Sequence, residues 1–211
     1  ITCRRWRRSA STARPPRPLD VGAASHPHPR QKINGDAFVI KSVDSSTLVG
    51  VIDGVGHGEH ARRAAFAARG YIQRHAGQPL GDLFKGVDRA CRATRGVVMA
   101  MARLTWNSAA MSHASVGNIE ARLRSTREGR RFVVRRGILG FNAPVPVVTD
   151  HPWGADEILV LHSDGISAQW SWDDEPTLWH RGADHIARRL LRKHSKNEDD
   201  ATVLVVKGGT I

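Results

Sequence analysis

The stretch Thr47-Leu48-Val49-Gly50-Val51-Ile52-Asp53-Gly54-Val55-Gly56-His57-Gly58-Glu59-His60 decides how the chain folds. Its first six residues form an apolar run, rich in β-branched side chains, that is typical of a buried strand. Asp53 ends this run, and glycine then recurs at every second position up to residue 58. Glycine lets the backbone pass close to a ligand, so a strand that delivers a carboxylate into such a loop predicts a site for a cation or a phosphate.

The spacing within this stretch excludes two nucleotide-binding motifs. A dinucleotide-binding turn needs the pattern G-x-G-x-x-G, and Glu59 stands where the third glycine belongs. That motif also needs a second strand ending in an acid ~20 residues further on, whereas helical sequence follows here. A P-loop closes with Gly-Lys-Ser/Thr, which the stretch lacks.

Composition and charge indicate one globular domain preceded by a basic tail. The 211 residues are 40% hydrophobic and carry a formal net charge of +12, which predicts a single sizeable core. Residues 1–19 hold six arginines and three prolines but no acid, so we expect a disordered tail over 1–19 and the folded domain over 20–211. The remaining positive charge is scattered along helices. We therefore do not expect nucleic acid as a partner, although such a net charge raises that possibility.

The same survey predicts a cytoplasmic protein without a membrane segment. No run approaches the ~18 apolar residues of a membrane helix, and the tail lacks the apolar core of a secretory signal. Cys3 lies in the tail and Cys91 on the apolar side of a predicted helix. Two cysteines so placed form no disulfide framework and fit a reducing compartment.

Hydrophobic periodicity predicts a chain of strands, two helices, strands, one helix and a closing strand. Strands are expected at 19–25, 35–43, 47–52, 104–111, 114–123, 132–136, 157–162 and 202–207, and helices at 59–75, 80–101 and 181–193. This order is typical of an α+β fold with mainly antiparallel sheets. The second and third strands are expected to form a hairpin. That hairpin would bring Asp36, at the start of one strand, beside Asp53 at the end of the other.

Acidic residues follow or precede several apolar strands. Asp164 follows the strand at 157–162, Asp199 and Asp200 precede the last strand, and Asp36 opens an early one. A single Asp-Gly pair is commonly no more than a turn. If several such carboxylates converge, charges ~4 Å apart repel by ~1 kcal/mol in water and ~4 kcal/mol at a protein-like dielectric. Such a cluster needs a compensating cation, and oxygen-only ligands favour Mg²⁺ or Mn²⁺ over zinc.

Four ordered motifs carry a resemblance to a known family. They are Gly35-Asp36-Ala37, Asp53-Gly54-Val55-Gly56-His57-Gly58, Ser163-Asp164-Gly165 and Asp199-Asp200-Ala201-Thr202. In this order they resemble the metal-dependent PP2C-type (PPM) phosphatases, and most of all the bacterial SpoIIE/RsbX branch. The resemblance covers roughly residues 20–208, and its specificity lies in the order of the four motifs.

The resemblance implies a PP2C-like α-β-β-α sandwich, in which helices flank two antiparallel sheets and a binuclear metal site lies at one edge. Carried over residue by residue, Asp53 would bridge two metals and the carbonyl of Gly54 would bind one of them. Asp164 and Asp199 would hold the other metal, and Asp36 would bind metal directly or through water. The cofactor implied is one or two Mn²⁺ or Mg²⁺ ions.

Some positions depart from the eukaryotic members of the family. Gly35 stands where those proteins have glutamate, and Val55 replaces the histidine after Asp-Gly. His57 is then a candidate general acid, or else a loop histidine that orients the backbone. With Asp36 and Asp53 it completes the predicted catalytic group. Arg30 and Lys32 lie near the position of the family's phosphate-binding arginine, and neither is in register with it.

By this resemblance the chain is a serine/threonine phosphoprotein phosphatase of the stand-alone RsbX type, in which a metal-activated water attacks phosphorus. The implied substrate is a phosphoserine or phosphothreonine on a STAS-domain or stressosome-type regulator. One alternative is a catalytically weak phosphatase fold kept as a protein-binding module, which Gly35 and Val55 favour. The other is nucleic-acid binding through the arginine-rich tail.

Overall fold

The structure, a computed structural model, describes residues 19–105, 108–125 and 132–208. Within these ranges the strands are β1 (Asp20–His26), β2 (Asp36–Val43), β3 (Ser46–Gly54), β4 (Val97–Thr105), β5 (Ala110–Val116), β6 (Glu120–Arg124), β7 (Thr149–Pro152), β8 (Ile158–His162) and β9 (Ala201–Lys207). The α-helices are α1 (Gly58–Arg74), α2 (Leu80–Cys91) and α3 (Ala183–His194), and a 3₁₀ helix spans Pro176–His180. The predicted tail at 1–19 lies, apart from its last residue, outside the described residues.

The strands form two antiparallel sheets packed between helices. One sheet has the order β2-β3-β4-β5-β7 and the other β1-β9-β8-β6, and every pairing in both is antiparallel. Helices α1 and α2 cover the outer face of the five-stranded sheet, and α3 covers that of the four-stranded sheet. The predicted α+β sandwich is therefore confirmed.

Strand β3 lies at the centre of this arrangement and is covered on both faces. Leu48 and Ile52 pack with the side chains of α1 and α2, whereas Val49 and Val51 pack against the four-stranded sheet. Alternate residues of a strand point to opposite faces. A strand buried on both faces must be apolar throughout, which explains the uninterrupted run in the sequence.

Helix α1 packs on its sheet through small side chains. Ala61, Ala64, Ala65, Ala68 and Ile72 are its buried hydrophobic residues, as their helical spacing predicts. Alanines allow the helix axis to come close to the strands beneath it. The loop that precedes α1 is thereby held against the edge of the sheet.

The predicted helix at 80–101 is wrong beyond Cys91. Helix α2 ends at that residue, and β4 begins at Val97. Gly96 has a φ of +82°, which glycine adopts readily and which ends the turn between the two elements. Residues 97–101 are buried on both faces, and such a run cannot be told from a buried helical segment by periodicity alone.

The middle strands were also predicted with wrong bounds. The interval 104–111 covers the end of β4 and the start of β5, where Thr105 pairs with Ala110 across the two strands. The interval 114–123 holds two strands, because Gly117 (φ +103°) separates β5 from β6 and sends them into different sheets. Residues 132–136 contribute only a bridge from Arg135 to Val116, and β7 was not predicted.

Trp170, Trp172 and Trp179 belong to the core under α3. Trp170 and Trp179 are buried, and Trp172 contacts both with ring centroids 5.0 and 4.6 Å away. The three rings therefore pack within this core.

Among the described residues, no helix combines the length and the apolar character needed to cross a bilayer.

Candidate active site

The end of β3 and the start of α1 position the first acidic residues. Asp53 pairs with Asp36 in the β2–β3 register, so the two carboxyls lie side by side at one sheet edge. The N–H of Gly54 donates to the carbonyl of Gly35 at 3.2 Å. A Cβ on Gly54 would lie 2.1 Å from the carbonyl oxygen of Ala61. Only glycine allows this approach of strand and helix.

Strands β8 and β9 bring the other acidic segments to the same place. They are antiparallel neighbours, so the end of β8 meets the start of β9. The N–H of Ser163 donates to the carbonyl of Thr202 at 3.1 Å and extends this pairing beyond β8. Asp164 and the pair Asp199–Asp200 are therefore held at one end of the four-stranded sheet.

The end of the β2–β3 pair and the end of the β8–β9 pair open into one cavity of about 690 Å³. Asp53, His57, Asp164 and Asp199 line it, as four of the residues predicted for the site. The other lining residues are Val55, Gly56, Val98, Gly117, Asn118, Val134, Arg136, Gly137, Ile138 and Glu198. The structure thus brings together side chains from three separate chain segments that the sequence singles out.

Asp36 and Gly54 are not among the residues that line the cavity. Asp36 is buried next to Asp53, and it accepts a hydrogen bond from the hydroxyl of Ser163 at 2.7 Å. The same hydroxyl oxygen accepts from the N–H of Thr202 at 3.0 Å. Ser163 therefore links Asp36 to the β8–β9 end, while the predicted roles of Asp36 and Gly54 toward a metal stay predictions.

Asp200 faces away from the cavity and fixes the neighbouring loop. Its carboxylate accepts from the N–H of His28 at 2.8 Å and from the N–H of Gly35 at 2.9 Å. A Cβ on Gly35 would lie 2.8 Å from Asp200 Oδ2 and 2.7 Å from the Cβ of Ala61. A side chain at position 35 would therefore require Asp200 or α1 to shift.

The carboxyl groups at this site are electrostatically unfavourable without a cation. Burial, followed by the neighbouring charges of Asp36 and Asp164, raises the pKa of Asp53 to about 9. Burial raises the pKa of Asp36 to about 7, against the opposing hydrogen bond from Ser163. Burial also raises the pKa of Asp199 above its ordinary value. The protein therefore resists placing several negative charges here at once.

The donor set fits a hard divalent cation. Carboxylate oxygens from Asp53, Asp164 and Asp199 face one cavity, and such ligands suit Mg²⁺ or Mn²⁺. Within the described ranges, no three acidic, histidine or cysteine side chains stand close enough to form a finished metal site. Asp164 accepts a hydrogen bond from Asn118 at 2.7 Å instead, as expected for a carboxylate that avoids its neighbours. A bound cation would draw these oxygens together.

Two histidines, His28 and His57, lie near each other beside the loop after β3. His57 is the residue before α1, is exposed, and makes no side-chain cap to the helix. Its ring centroid lies 6.1 Å from that of His28, whose positive form would favour the charged form of Asp199. Arg30 and Lys32, considered as phosphate-binding residues, are exposed and do not line the cavity.

The sequence does not reveal every residue of the cavity wall. Asn118 and Arg136 are absent from the predicted set, because no motif surrounds either residue. The Gly117-Asn118 pair is a turn signal within an otherwise strand-like stretch, and it could have indicated the break there. Arg95 is not a residue of the cavity wall, although its Nη1 lies 2.9 Å from where a Cβ on Gly56 would be.

Comparison with known families agrees with this arrangement of fold and acidic residues. The family model described as stage II sporulation protein E (SpoIIE) matches residues 44–208. The chain belongs to the SpoIIE family. This match includes the loop after β3 and both acidic segments of the four-stranded sheet, and the first acidic motif at residue 36 precedes it.

One curated relative and two solved structures are similar to this chain. Phosphoserine phosphatase RsbX of Bacillus subtilis (strain 168) is 24% identical over 95 residues, 45% of this chain and 48% of RsbX. The matched region thus spans about half the length of that relative. A chain from structural work on the bacterial stressosome is 28% identical, with a TM-score of 0.84 over 90% of this chain and 100% of that one.

The structure of RsbX in complex with magnesium has the same fold. It is 19% identical to this SpoIIE-family chain, with a TM-score of 0.77 over 90% of this chain and 94% of that one. The two antiparallel sheets between helices are thus an architecture that this chain shares with RsbX. Magnesium belongs to the RsbX structure.

Proposed function

We propose that this protein is a metal-dependent serine/threonine phosphatase that acts on a phosphorylated regulatory protein. The observation that carries the proposal is the convergence of Asp53, Asp164 and Asp199 on one cavity, where the pKa of Asp53 is raised to about 9. Perturbed carboxyls in a cleft are typical of a functional site. The relationship to a phosphoserine phosphatase and to a magnesium-bound structure supports this reading.

The proposal assigns a role to each of the predicted site residues. Asp53, Asp164 and Asp199 would hold one or two Mn²⁺ or Mg²⁺ ions, with the Gly54 carbonyl and Asp36 as further ligands. The chemistry that these cations supply, when bound, is activation of a water molecule and neutralisation of phosphoryl charge. In this proposal His57, which is exposed on the cavity wall, donates a proton to the departing serine or threonine oxygen.

The proposed substrate is a phosphoserine or phosphothreonine on a STAS-domain or stressosome-type regulator in the cytoplasm. Similarity to RsbX and to a chain from the bacterial stressosome supports this assignment. The cavity is open to solvent and has apolar as well as acidic walls, so it can receive a phosphorylated side chain presented by another protein.

The test is turnover of a phosphoserine peptide and of a phosphorylated STAS-domain protein, with Mn²⁺ or Mg²⁺ and with EDTA. We expect turnover that needs the metal and is lost in Asp53→Asn. The matched control is Asp156→Asn, which changes an exposed aspartate outside the cavity. Full turnover in EDTA would refute the metal mechanism. No Mn²⁺ binding at millimolar metal would instead identify a protein-binding module.

A further inference from the structure

The residues that line the cavity form two chemically different groups, which we call the acidic wall and the second wall. Carboxylates of Asp53, Asp164, Glu198 and Asp199 form one of them. The other comes from the chain between β6 and β7, where the lining residues are Val134, Arg136, Gly137 and Ile138. The second wall contains no motif that the proposed metal chemistry uses.

Hydrogen bonds on both sides hold this second wall in place. Directly before Arg136, the N–H of Arg135 donates to the carbonyl of Ser115 at 3.4 Å, and the carbonyl of Arg135 accepts from the N–H of Gly117 at 2.8 Å. After it, Leu139 and Val97 exchange two backbone hydrogen bonds, each 2.9 Å long. Residues 136–138 therefore span a short gap between two fixed points on the five-stranded sheet. Arg136 is presented at the cavity by an anchored backbone.

Arg136 is positively charged and forms no ion pair with a described carboxylate, which distinguishes it from the other described side chains of the cavity. Among the described residues that line the cavity, it is the one arginine or lysine. No ion pair joins Arg136 to a described carboxylate, and Asp164 is engaged by Asn118 instead. A guanidinium offers a planar fork of donors that matches two oxygens of a phosphate.

The acidic wall makes a cationic partner necessary. A phosphate ester carries about two negative charges at neutral pH, and it must approach several carboxylates in this cavity. Cations held by those carboxylates would neutralise part of the phosphoryl charge. The remaining phosphoryl oxygens need a donor that does not compete for the metals, and Arg136 is the cationic side chain among the described residues that line the cavity.

We propose that Arg136 binds the phosphoryl oxygens of the substrate, while Val134 and Ile138 contact the apolar part of the chain next to the phosphorylated residue. This inference rests on the proposed phosphatase function. It assigns the phosphate-binding role to the segment after β6 instead of to Arg30 or Lys32 near the start of the domain.

Two nearby arginines serve as comparisons. Arg135 is the adjacent residue and is exposed, but it does not line the cavity. Arg95 lies beside Gly56, at the edge of the loop after Asp53, and is also absent from the cavity wall. Replacing each of these with glutamine removes the same charge from the same neighbourhood.

The experiment compares Arg136→Gln, Arg136→Lys, Arg135→Gln and Arg95→Gln in the full chain loaded with Mn²⁺. The substrates are a small aryl phosphate and a phosphoserine peptide. Because charge-assisted, bidentate hydrogen bonds are the stronger kind, we expect Arg136→Gln to raise KM for both substrates by ~10- to 100-fold. Arg136→Lys should lie between that variant and the wild type, and Arg135→Gln should match the wild type.

A binding measurement makes the inference independent of turnover. Calorimetric titration of inorganic phosphate into the Mg²⁺-loaded protein should show a dissociation constant raised by the same factor in Arg136→Gln. The affinity for Mg²⁺ and the melting temperature should stay unchanged. Absence of wild-type turnover with normal phosphate binding would contradict the proposed function and leave Arg136 as the anion receptor.

Three results would overturn the assignment. Equal KM and equal phosphate affinity in Arg136→Gln and Arg135→Gln would show that Arg136 is a solvated surface residue. A loss confined to the peptide substrate would show that Arg136 contacts another group of the peptide and not the phosphoryl oxygens. A larger loss in Arg95→Gln than in Arg136→Gln would move the phosphate site to the loop before β4.

Discussion

Asp36 and Asp53 face each other across the antiparallel pair β2–β3, one at the start of its strand and one near the end of its partner. Direct cross-strand partners have Cβ atoms ~4.5–5.5 Å apart, where like charges are destabilising. Both carboxyls also have a raised pKa, mainly through burial. We therefore expect this pair to couple the stability of the domain to the presence of a cation, and the first two predictions follow from that expectation.

Asp53→Asn should separate function from folding. The amide cannot bridge cations, so we expect turnover to fall by orders of magnitude. In EDTA the variant should be as stable as the wild type or more stable, because the folded chain no longer has to keep a carboxyl beside Asp36 protonated at neutral pH. Thermal unfolding in EDTA and a phosphopeptide assay in Mn²⁺ measure the two effects. A variant with normal turnover would show that the Asp-Gly motif is only a turn.

The metal-free protein should lose stability as the pH rises. The pKa values of Asp36 and Asp53 are about 7 and about 9 in the folded chain, against an ordinary 3.8. Between these limits the unfolded chain binds fewer protons than the folded one, so the free energy of unfolding decreases with pH. The stability that the two protonated carboxyls contribute is fully present below about pH 4 and is lost progressively up to about pH 9.

Urea unfolding in EDTA across this pH range checks the prediction. Repeating it with Mn²⁺ should reverse the trend, because cation binding strengthens as the carboxyls lose their protons. In Asp53→Asn the metal-free decrease should be smaller. An increase in stability with pH in EDTA would contradict the raised pKa values.

Asp199 and Asp200 should give opposite results when each is changed to asparagine. Asp199→Asn removes a carboxylate from the cavity wall, so Mn²⁺ affinity and turnover should fall while stability in EDTA is retained. Asp200→Asn disturbs two hydrogen bonds, to the N–H groups of His28 and Gly35. Leaving a buried donor without a partner costs ~1–3 kcal/mol, so this variant should unfold more easily.

Calorimetric Mn²⁺ titration and urea unfolding of both variants separate the two roles. The expected pattern is weaker metal binding in Asp199→Asn and lower stability in Asp200→Asn. Unaltered metal titration in both variants would favour a binding module over an enzyme.

Gly54→Ala should destabilise the domain, whereas Gly81→Ala should not. A Cβ on Gly54 would meet the backbone of Ala61 at 2.1 Å, and α1 would have to move away from the sheet. Overpacking of this kind costs ~1–3 kcal/mol. A Cβ on Gly81, in α2, meets nothing within 4 Å, so there alanine should add ~0.5–1 kcal/mol of helix stability. Equal melting temperatures for the two variants would contradict the close approach of loop and helix.

The elements that the sequence predicts well are those with one clear pattern. The hairpin of β2 and β3 shows an uninterrupted apolar strand after a turn, and α1 shows alanines at helical spacing. The boundary between α2 and β4 fails because residues 97–101 are buried on both faces and match either period. Strands β5 and β6 were merged, because the strand pattern continues across Gly117 while the chain changes sheets.

The acids of the site could be named from the sequence, because each stands next to an apolar strand in a recognisable order. Their division of labour depends on tertiary contacts. Asp200 is withdrawn from the cavity by backbone N–H groups of His28 and Gly35, which lie more than a hundred residues away in the chain. No local pattern encodes such a partner.

The local elements of the site can be predicted from the sequence: a buried strand that ends in Asp53, a glycine loop, and carboxylates at three further strand ends. Which side chains share a cavity depends on tertiary contacts. Arg136 lies at the cavity between Arg135 and Leu139, whose backbones are hydrogen-bonded to residues remote in the chain. The physical reason is that burial, charge repulsion and backbone pairing act between residues remote in sequence. These interactions arise only once the two sheets have formed and brought those residues together.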